Sequence, residues 1–486
     1  MPLDAANQSL AAVRRSPAEN RPLDPRTRVL LDGPITRTLL RLAWPNIAVM
    51  LAQASTGLIE TWWVSRLGLD ALAGMALVFP GFMMMQMLSA GAMGGGISSA
   101  VARALGGGRR DDADALVLHA IVINVAIGSV FSALVLGFGP SFYRALGGDG
   151  AALDAALLYS NVVFAGTPLV WLMNALASVI RGTGNMLVPS LAVSLGVVLL
   201  VPLSPCLIFG IGPFPALGLA GAGLAVVSTT ALTTAALAWY IAAGRSVVQF
   251  GWSRLRRALF ADILRVGGVA SITTLQTTFT VALTVALVGS AGGSDAIAGY
   301  GTGVRLEYLL VPLVFGLGAP LVALVGTNVG AGRRDRALRA ALTGGAIAFA
   351  LAETIGVAAA IWPSAWLGLF STDPGMLATG GQYLRIVGPV YGFFGLGLAL
   401  YFASQGAGRL SWPLLAGLVR LVIAVGGGWA ALRLTGSLDG LFVALALALA
   451  TYGAILSAAV ASGTWFRGRV PTIARIGPSG TGKAAT

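Results

Sequence analysis

Charge is scarce in this chain: 10% of its 486 residues are Asp, Glu, Lys or Arg, against 56% hydrophobic residues and a mean hydropathy of +0.84. A soluble domain carries about 25% charged residues, so that class is excluded. Cysteine is nearly absent. The single Cys206 cannot form an intramolecular disulfide and says nothing of redox compartment. Histidine is as rare, and His119 without companions makes no metal site, so a packing role is expected of it. Residues 1–36 lack the apolar core and small-residue cleavage site of a secretory leader. They read as a disordered cytoplasmic tail, as do residues 467–486. Gly477 to Lys483 has the spacing of a phosphate loop, but Ala484 stands where Ser or Thr should reach magnesium. No strand precedes it and three residues follow, so no helix can receive a phosphate. No cofactor is expected. With no metal cluster, nucleophile motif or sizeable soluble region, neither is an enzyme.

What the chain has instead is apolar length. Twelve stretches, near 38–65, 72–104, 115–140, 157–179, 187–210, 217–243, 263–290, 298–327, 338–367, 379–403, 410–433 and 440–465, reach or exceed the ~20 residues that cross a bilayer core as helix. They lack the ~10-residue alternation of an outer-membrane barrel. The fold expected is therefore an all-α integral membrane protein with twelve transmembrane helices. The net charge of +13 follows topology rather than nucleic acid. Of 31 Lys and Arg, 25 fall in the tails and alternate loops, three in the other loops (Arg66, Arg144, Arg433) and three within spans. By the positive-inside rule both termini are cytoplasmic, in the cell inner (plasma) membrane.

The chain also repeats itself. Gly106-Gly107-Gly108-Arg109-Arg110-Asp111 returns 224 residues later as Gly330-Ala331-Gly332-Arg333-Arg334-Asp335. Arg181-Gly182-Thr183-Gly184 with Pro189 returns as Gln405-Gly406-Ala407-Gly408 with Pro413. Asp70 to Gly74 returns, shifted by one, as Asp295 to Gly299. Two six-helix lobes follow, 37–244 and 263–466, related by a pseudo-two-fold axis along the membrane normal, with a site between them. The segment 245–262 is the cytoplasmic linker, read as carrying a short amphipathic helix with Trp252, Leu255, Leu259 and Phe260 on its apolar side.

An ionisable residue inside a span costs ~2.5–3.5 kcal/mol on insertion scales and so points to function. Glu60 leads. Gly57, Thr56 and Gln53 precede it by three, four and seven residues, on one helical face. That stripe suits a cavity, and a half-desolvated carboxyl there suits proton uptake and release. Arg305 and Glu307, two apart in the eighth span, point to different sides and do not pair. Glu353, Arg385 and Arg420 are the other in-span charges. In the seventh span Gln276, Thr277, Thr280 and Thr284 form a polar run, three of its threonines on one face; such hydroxyls also bond back to the preceding turn.

These residues resemble the multidrug and toxic compound extrusion (MATE) transporters, over about 33–466. Gln53 through Glu60, with Val64 and Leu67-Gly68, is similar to the family's Q-x-x-x-N-x-x-D-x-x-x-V-x-x-x-G pattern. Arg181-Gly182-x-Gly184-Asn185 resembles its R-G-x-G-[ND] signature, and Leu217 to Ala225 its G-x-x-G-A-A-x-A stretch. Arg305-Leu306-Glu307 ahead of Gly330-Ala331-Gly332 resembles its eighth span and following loop. The resemblance implies a V-shaped pair of lobes that exports amphipathic, cationic organic compounds by alternating access in exchange for H+ or Na+, working as a monomer in the lipid bilayer. It places Glu60 where many members have an essential aspartate, and Asn174 at a polar cavity position of the fourth span.

The chain departs from the pattern as well. Leu200, Ser204 and Pro205 stand at the family's N-x-x-x-D-P in the fifth span, Val226 at a threonine of the sixth, and Gly57 at the asparagine of the first. Residues near Thr277 and Phe394 replace acidic groups of the seventh and tenth. A sodium site wants several hard oxygens, and most are missing, so a lone Glu60 favours protons. Two alternatives stand beside proton-coupled export: sodium coupling, and a lipid-linked saccharide flippase of the same superfamily. Convergent carboxylates in the cavity favour cation export; convergent arginines favour the flippase.

Overall fold

The structure is a computed structural model that describes residues 24–251 and 254–466, and among these residues it is helical with no strand. Helix is what apolar runs of this length must form, because lipid satisfies no backbone group. Ten helices have the length and hydropathy of spans. An eleventh span is the pair Gly150–Ala165 and Thr167–Gly182, bent by 45°. The helix Arg257–Gly330 supplies a twelfth, since its 74 residues would run about 110 Å as one straight helix, over three times the ~30 Å core. It breaks at Gly293, whose φ of 68° and ψ of −154° suit glycine alone. Beyond the break the chain folds back, setting Ile297 against Gly289. The twelve expected spans are thus present, the seventh and eighth continuous through one glycine.

The sequence repeat becomes a structural one. The turns after the second and eighth spans carry matching hydrogen bonds: Arg109 N–H to the Ala104 carbonyl and Arg333 N–H to that of Asn328, each 2.9 Å. Both turns place a glycine at positive φ, Gly108 at 71° and Gly332 at 74°. The lobes also touch each other symmetrically. A methyl on Gly106 would strike the Thr327 carbonyl, and one on Gly330 would strike that of Arg103. Adding the repeat offset of 224 turns one contact into the other, which defines a pseudo-two-fold axis between the two helix ends.

This seam lies at the end of the molecule that bears the arginine-rich loops. Arg103 spans it, its Nη2 2.7 Å from Asp262 at the start of the seventh span and its Nη1 donating to the Gly406 carbonyl at 3.2 Å. Gly95 is packed against the Gln405 amide. The lobes still meet at Gly91 against Phe315 and Ile47 against Gly316. Beyond that level close glycine contacts stay within a lobe, Gly74 against Ala155 and Gly299 against Met376. The cleft is therefore closed at one end and parted at the other.

Two expectations about the connecting segments change. The N-terminal tail does not run to residue 36: Pro25–Asp32 is a helix, capped by the Asp24 carboxylate on Arg26 N–H at 2.9 Å. Leu30 and Leu31 are buried because the helix docks across the seam. The linker, in turn, forms no separate amphipathic helix among the described residues. Leu259 and Phe260 belong to the first turns of the seventh span, and Trp252 lies outside the described residues. Its extended chain is tied to the third span instead. Asp114 accepts from Gln249 N–H, and His119 Nε2 accepts from Arg256 N–H at 2.8 Å. That is the packing role expected of His119. The phosphate-loop spacing at 477–483 lies outside the described residues.

Candidate transport site

The first and fifth spans run parallel through the N-terminal lobe. Ser190 Oγ donates to Asn46 Oδ1 at 3.1 Å near one end, and the rings of Trp63 and Phe209 lie 6.1 Å apart near the other. Glu60 follows Asn46 by fourteen residues and Ser204 follows Ser190 by the same step, so both stand at one depth, in the half where the cleft is parted. Pro202 and Pro205 lie inside the fifth span there. Glu60 is half-buried, and its Oε1 is buried with no hydrogen-bond partner; Ser204 is fully buried, and its Oγ has none either. Tyr159, from the fourth span, sits within electrostatic reach of the Glu60 carboxyl. No cation pairs with Glu60 among the described ion pairs. The result is a carboxyl with one oxygen buried and unpartnered in its lobe, and a tyrosine within electrostatic reach.

The stripe read on the first span divides. Thr56 is buried and donates to the Ala52 carbonyl at 2.8 Å, while Gln53 and Gly57 are exposed. Asn174 is buried, donating to Ser89 Oγ at 3.0 Å and Gln86 Oε1 at 3.3 Å. Both acceptors adjoin or belong to a π-helical turn of the second span, Met87–Met93. Its Gly91 faces the other lobe, and Phe79, Met83 and Met87, four residues apart on the same side, are exposed above it.

In the C-terminal lobe the charges pair. Glu307 Oε1 lies 3.6 Å from Arg420 Nη2, and Tyr383 Oη donates to Glu307 Oε2 at 3.5 Å. They line a cavity of about 40 Å³ with Thr280, Thr284 and Tyr300. Thr277, on the neighbouring strip of the seventh span, is exposed, and all three threonines bond back to the preceding turn. Gln276 is buried against Gly417, both its amide atoms without a partner. Arg305 turns away from Glu307. It is exposed, stacks 5.6 Å from the Phe370 ring and lines an open recess with Asp295 and Asp373. Glu353 accepts from Gly392 N–H at 2.7 Å, which holds the irregular turn Gly388–Val390 of the tenth span.

The charged candidates therefore fall into three places: Glu60 in one lobe, Glu307 with Thr280 and Thr284 in the other, and Arg305 at the rim. Sequence reading missed Tyr159, Gln86 and Ser89, which no motif distinguishes, and the Glu307–Arg420 contact, whose members lie three spans apart. No group of three or more His, Cys, Asp or Glu among the described residues is placed to hold a metal ion.

Comparison with known proteins agrees with this arrangement. A family model, MatE, matches residues 45–206 and 270–430, one segment in each lobe. A probable multidrug resistance protein NorM of Deinococcus radiodurans is 30% identical over 426 residues, covering 81% of this chain and 87% of its own. An FAD transporter of Shewanella oneidensis is 27% identical over 397 residues, with the same two coverages. A solved MATE transporter in a bent conformation superposes with a TM-score of 0.84 at 24% identity, over 91% of this chain and 99% of that one. Twelve spans in two pseudo-symmetric lobes, with both lobes matched, make this chain a member of the MatE family of multidrug and toxic compound extrusion transporters.

Proposed function

We propose that this transporter exports amphipathic organic cations in exchange for protons, with Glu60 as the coupling carboxyl. The observation that carries the reading is the Glu60 Oε1 atom, buried without a hydrogen-bond partner in the parted half of the N-terminal lobe. A carboxyl left so is cheapest as the neutral acid. Once it releases its proton, it presents an uncompensated charge that an organic cation answers. Proton and substrate then compete for one charge, and that competition is the exchange. The arginine-rich closed end, taken as cytoplasmic by the positive-inside rule, makes the conformation outward-facing.

The Shewanella relative makes an anionic flavin nucleotide the second substrate class. The arginines speak against it here: Arg420 is neutralised by Glu307, and Arg305 lies at the rim. The same scatter speaks against a flippase built around a pyrophosphate.

Proteoliposomes under an imposed pH gradient, without sodium, test the reading with tetraphenylphosphonium, FAD and the Glu60→Gln variant. The expected result is accumulation of tetraphenylphosphonium by the wild type that Glu60→Gln abolishes. Accumulation of FAD alone, or a requirement for sodium, overturns it.

A further inference from the structure

Glu307 is a partly buried carboxyl of the membrane interior, its side chain 15% exposed, that the exchange above does not use. Its two partners stand farther away than the 2.7–2.9 Å of a charge-assisted hydrogen bond: Arg420 at 3.6 Å and Tyr383 at 3.5 Å. The pair is close enough to neutralise and too loose to lock. Arg420 does not depend on it alone, since its guanidinium lies 5.6 Å from the rings of both Phe394 and Tyr452. Were Glu307 to lose its charge, the cation would keep those faces.

The adjoining cavity fixes the size of the ligand. About 40 Å³ is far below the ~300 Å³ at which sites for organic molecules begin, yet ample for water. A metal cation brought there would sit beside a guanidinium, whereas a proton adds no separate charge centre. A hydroxyl path is in place: Tyr391 Oη donates to Tyr383 Oη at 3.3 Å, and Tyr383 donates on to Glu307. Compliance is in place too, since Val422–Gly427 is a π-helical turn starting two residues after Arg420. The titratable groups around Glu307 are Tyr300 on its own span, Tyr383 and Tyr391 on the tenth, Arg420 on the eleventh and Tyr452 on the twelfth. The seventh span contributes Thr280, Val281 and Thr284 to the cavity, none of them titratable, and Glu353 of the ninth is turned to Gly392.

We propose that Glu307 is a second proton-binding carboxyl, housed in the C-terminal lobe, and that Arg420 is its resident counter-ion, so that proton and guanidinium compete for one carboxylate. The proton moves from cavity water to a Glu307 oxygen; the ion pair opens, and Arg420 keeps its charge and its aromatic contacts. The inference rests on proton coupling and deepens it. Glu60 has no resident cation and answers to substrate, while Glu307 has one and answers to pH alone. Two protons, one per lobe, are then bound on acidification.

Infrared difference spectra of the full chain in lipid nanodiscs, taken across an acid titration without substrate, read the protonated-carboxyl C=O stretch directly. The expected result is two separable bands, one removed by Glu60→Gln and the other by Glu307→Gln, halving the total amplitude in each case. Glu307→Asp keeps a band at a shifted frequency, which serves if the Gln variant fails to fold with Arg420 unpaired. A Glu307→Gln spectrum identical to the wild type, or an Asp band that does not shift, overturns the proposal and leaves a permanent ion pair. Loss of the Glu307 band on adding sodium at constant acid pH overturns it in favour of a metal cation. If Glu307→Gln removes a band and Glu60→Gln does not, the proposal stands while Glu60 loses its coupling role.

Discussion

At the scale of single residues, the useful signal in the sequence was expense. Glu60 and Glu307 could be singled out because a carboxyl inside a span needs a reason. Their surroundings were not legible. Tyr159 of the fourth span lies within electrostatic reach of Glu60, and Arg420 reaches Glu307 from the eleventh; no local spacing encodes either. Arg305 shows the converse, a charge within a span whose side chain ends in an exposed recess. Ser204 offers a sharp test, because its buried Oγ donates to nothing. Removing an unpaired hydroxyl forfeits no hydrogen bond, and such groups cost ~1–3 kcal/mol to bury. Ser204→Ala is therefore expected to match or exceed the wild type in thermal unfolding in detergent. A large fall in stability would show that Ser204 has a structural partner instead.

At the scale of elements, hydropathy located all twelve spans, since apolar length is all that a span requires. It missed the helix Pro25–Asp32, which has no apolar run and is held by what it docks against. Asn328 Nδ2 donates to the Leu30 carbonyl at 3.1 Å, and Arg333 donates to the Leu31 carbonyl at 2.8 Å and pairs with Asp32 at 2.6 Å. Arg336 adds a hydrogen bond to the Gly33 carbonyl. Leu30 at the same time covers Gly184 of the other lobe, where a β-carbon would meet its Cδ1 at 2.8 Å. The helix thus straps the closed end. Leu30→Ala should loosen it. With Cys206 replaced by serine and a cysteine put at the buried Ser99, labelling by an impermeant maleimide from the arginine-rich side is expected to rise several-fold; unchanged labelling would mean that the strap holds nothing.

The strap also has a defined pH sign. The hydrogen bond from Arg333 holds the Asp32 carboxyl below its ordinary value of 3.8. A carboxyl lowered in the folded state contributes above its unfolded value and loses that contribution as pH falls through the folded one. The strap is therefore intact throughout neutral and mildly acid pH. Asp32→Asn is expected to leave the pH profile of transport between 5 and 8 unchanged in shape; a displaced profile would make Asp32 part of the coupling machinery.

At the scale of the whole molecule, the 224-residue repeat announced two lobes and an axis, but it did not say which end of the cleft is shut. That depends on contacts between lobes, such as Arg103 with Asp262 and Gly95 with Gln405, which pair residues from different copies of the repeat. The closed end rests on glycine for a steric reason. Gly106 meets the Thr327 carbonyl and Gly330 meets that of Arg103, both too closely for any β-carbon. A methyl at either place must push the second and eighth spans apart, away from the axis. Gly106→Ala and Gly330→Ala are accordingly expected to hold the cleft open at the arginine-rich end and to abolish exchange, while each lobe, packed separately, stays folded. The pseudo-two-fold axis adds a stricter demand: the two substitutions should be equivalent. Distances between spin labels on the arginine-rich ends of the second and eighth spans should lengthen alike in the two variants. Widening in only one of them would show that the closed end is asymmetric, with one lobe yielding while the other holds the seam.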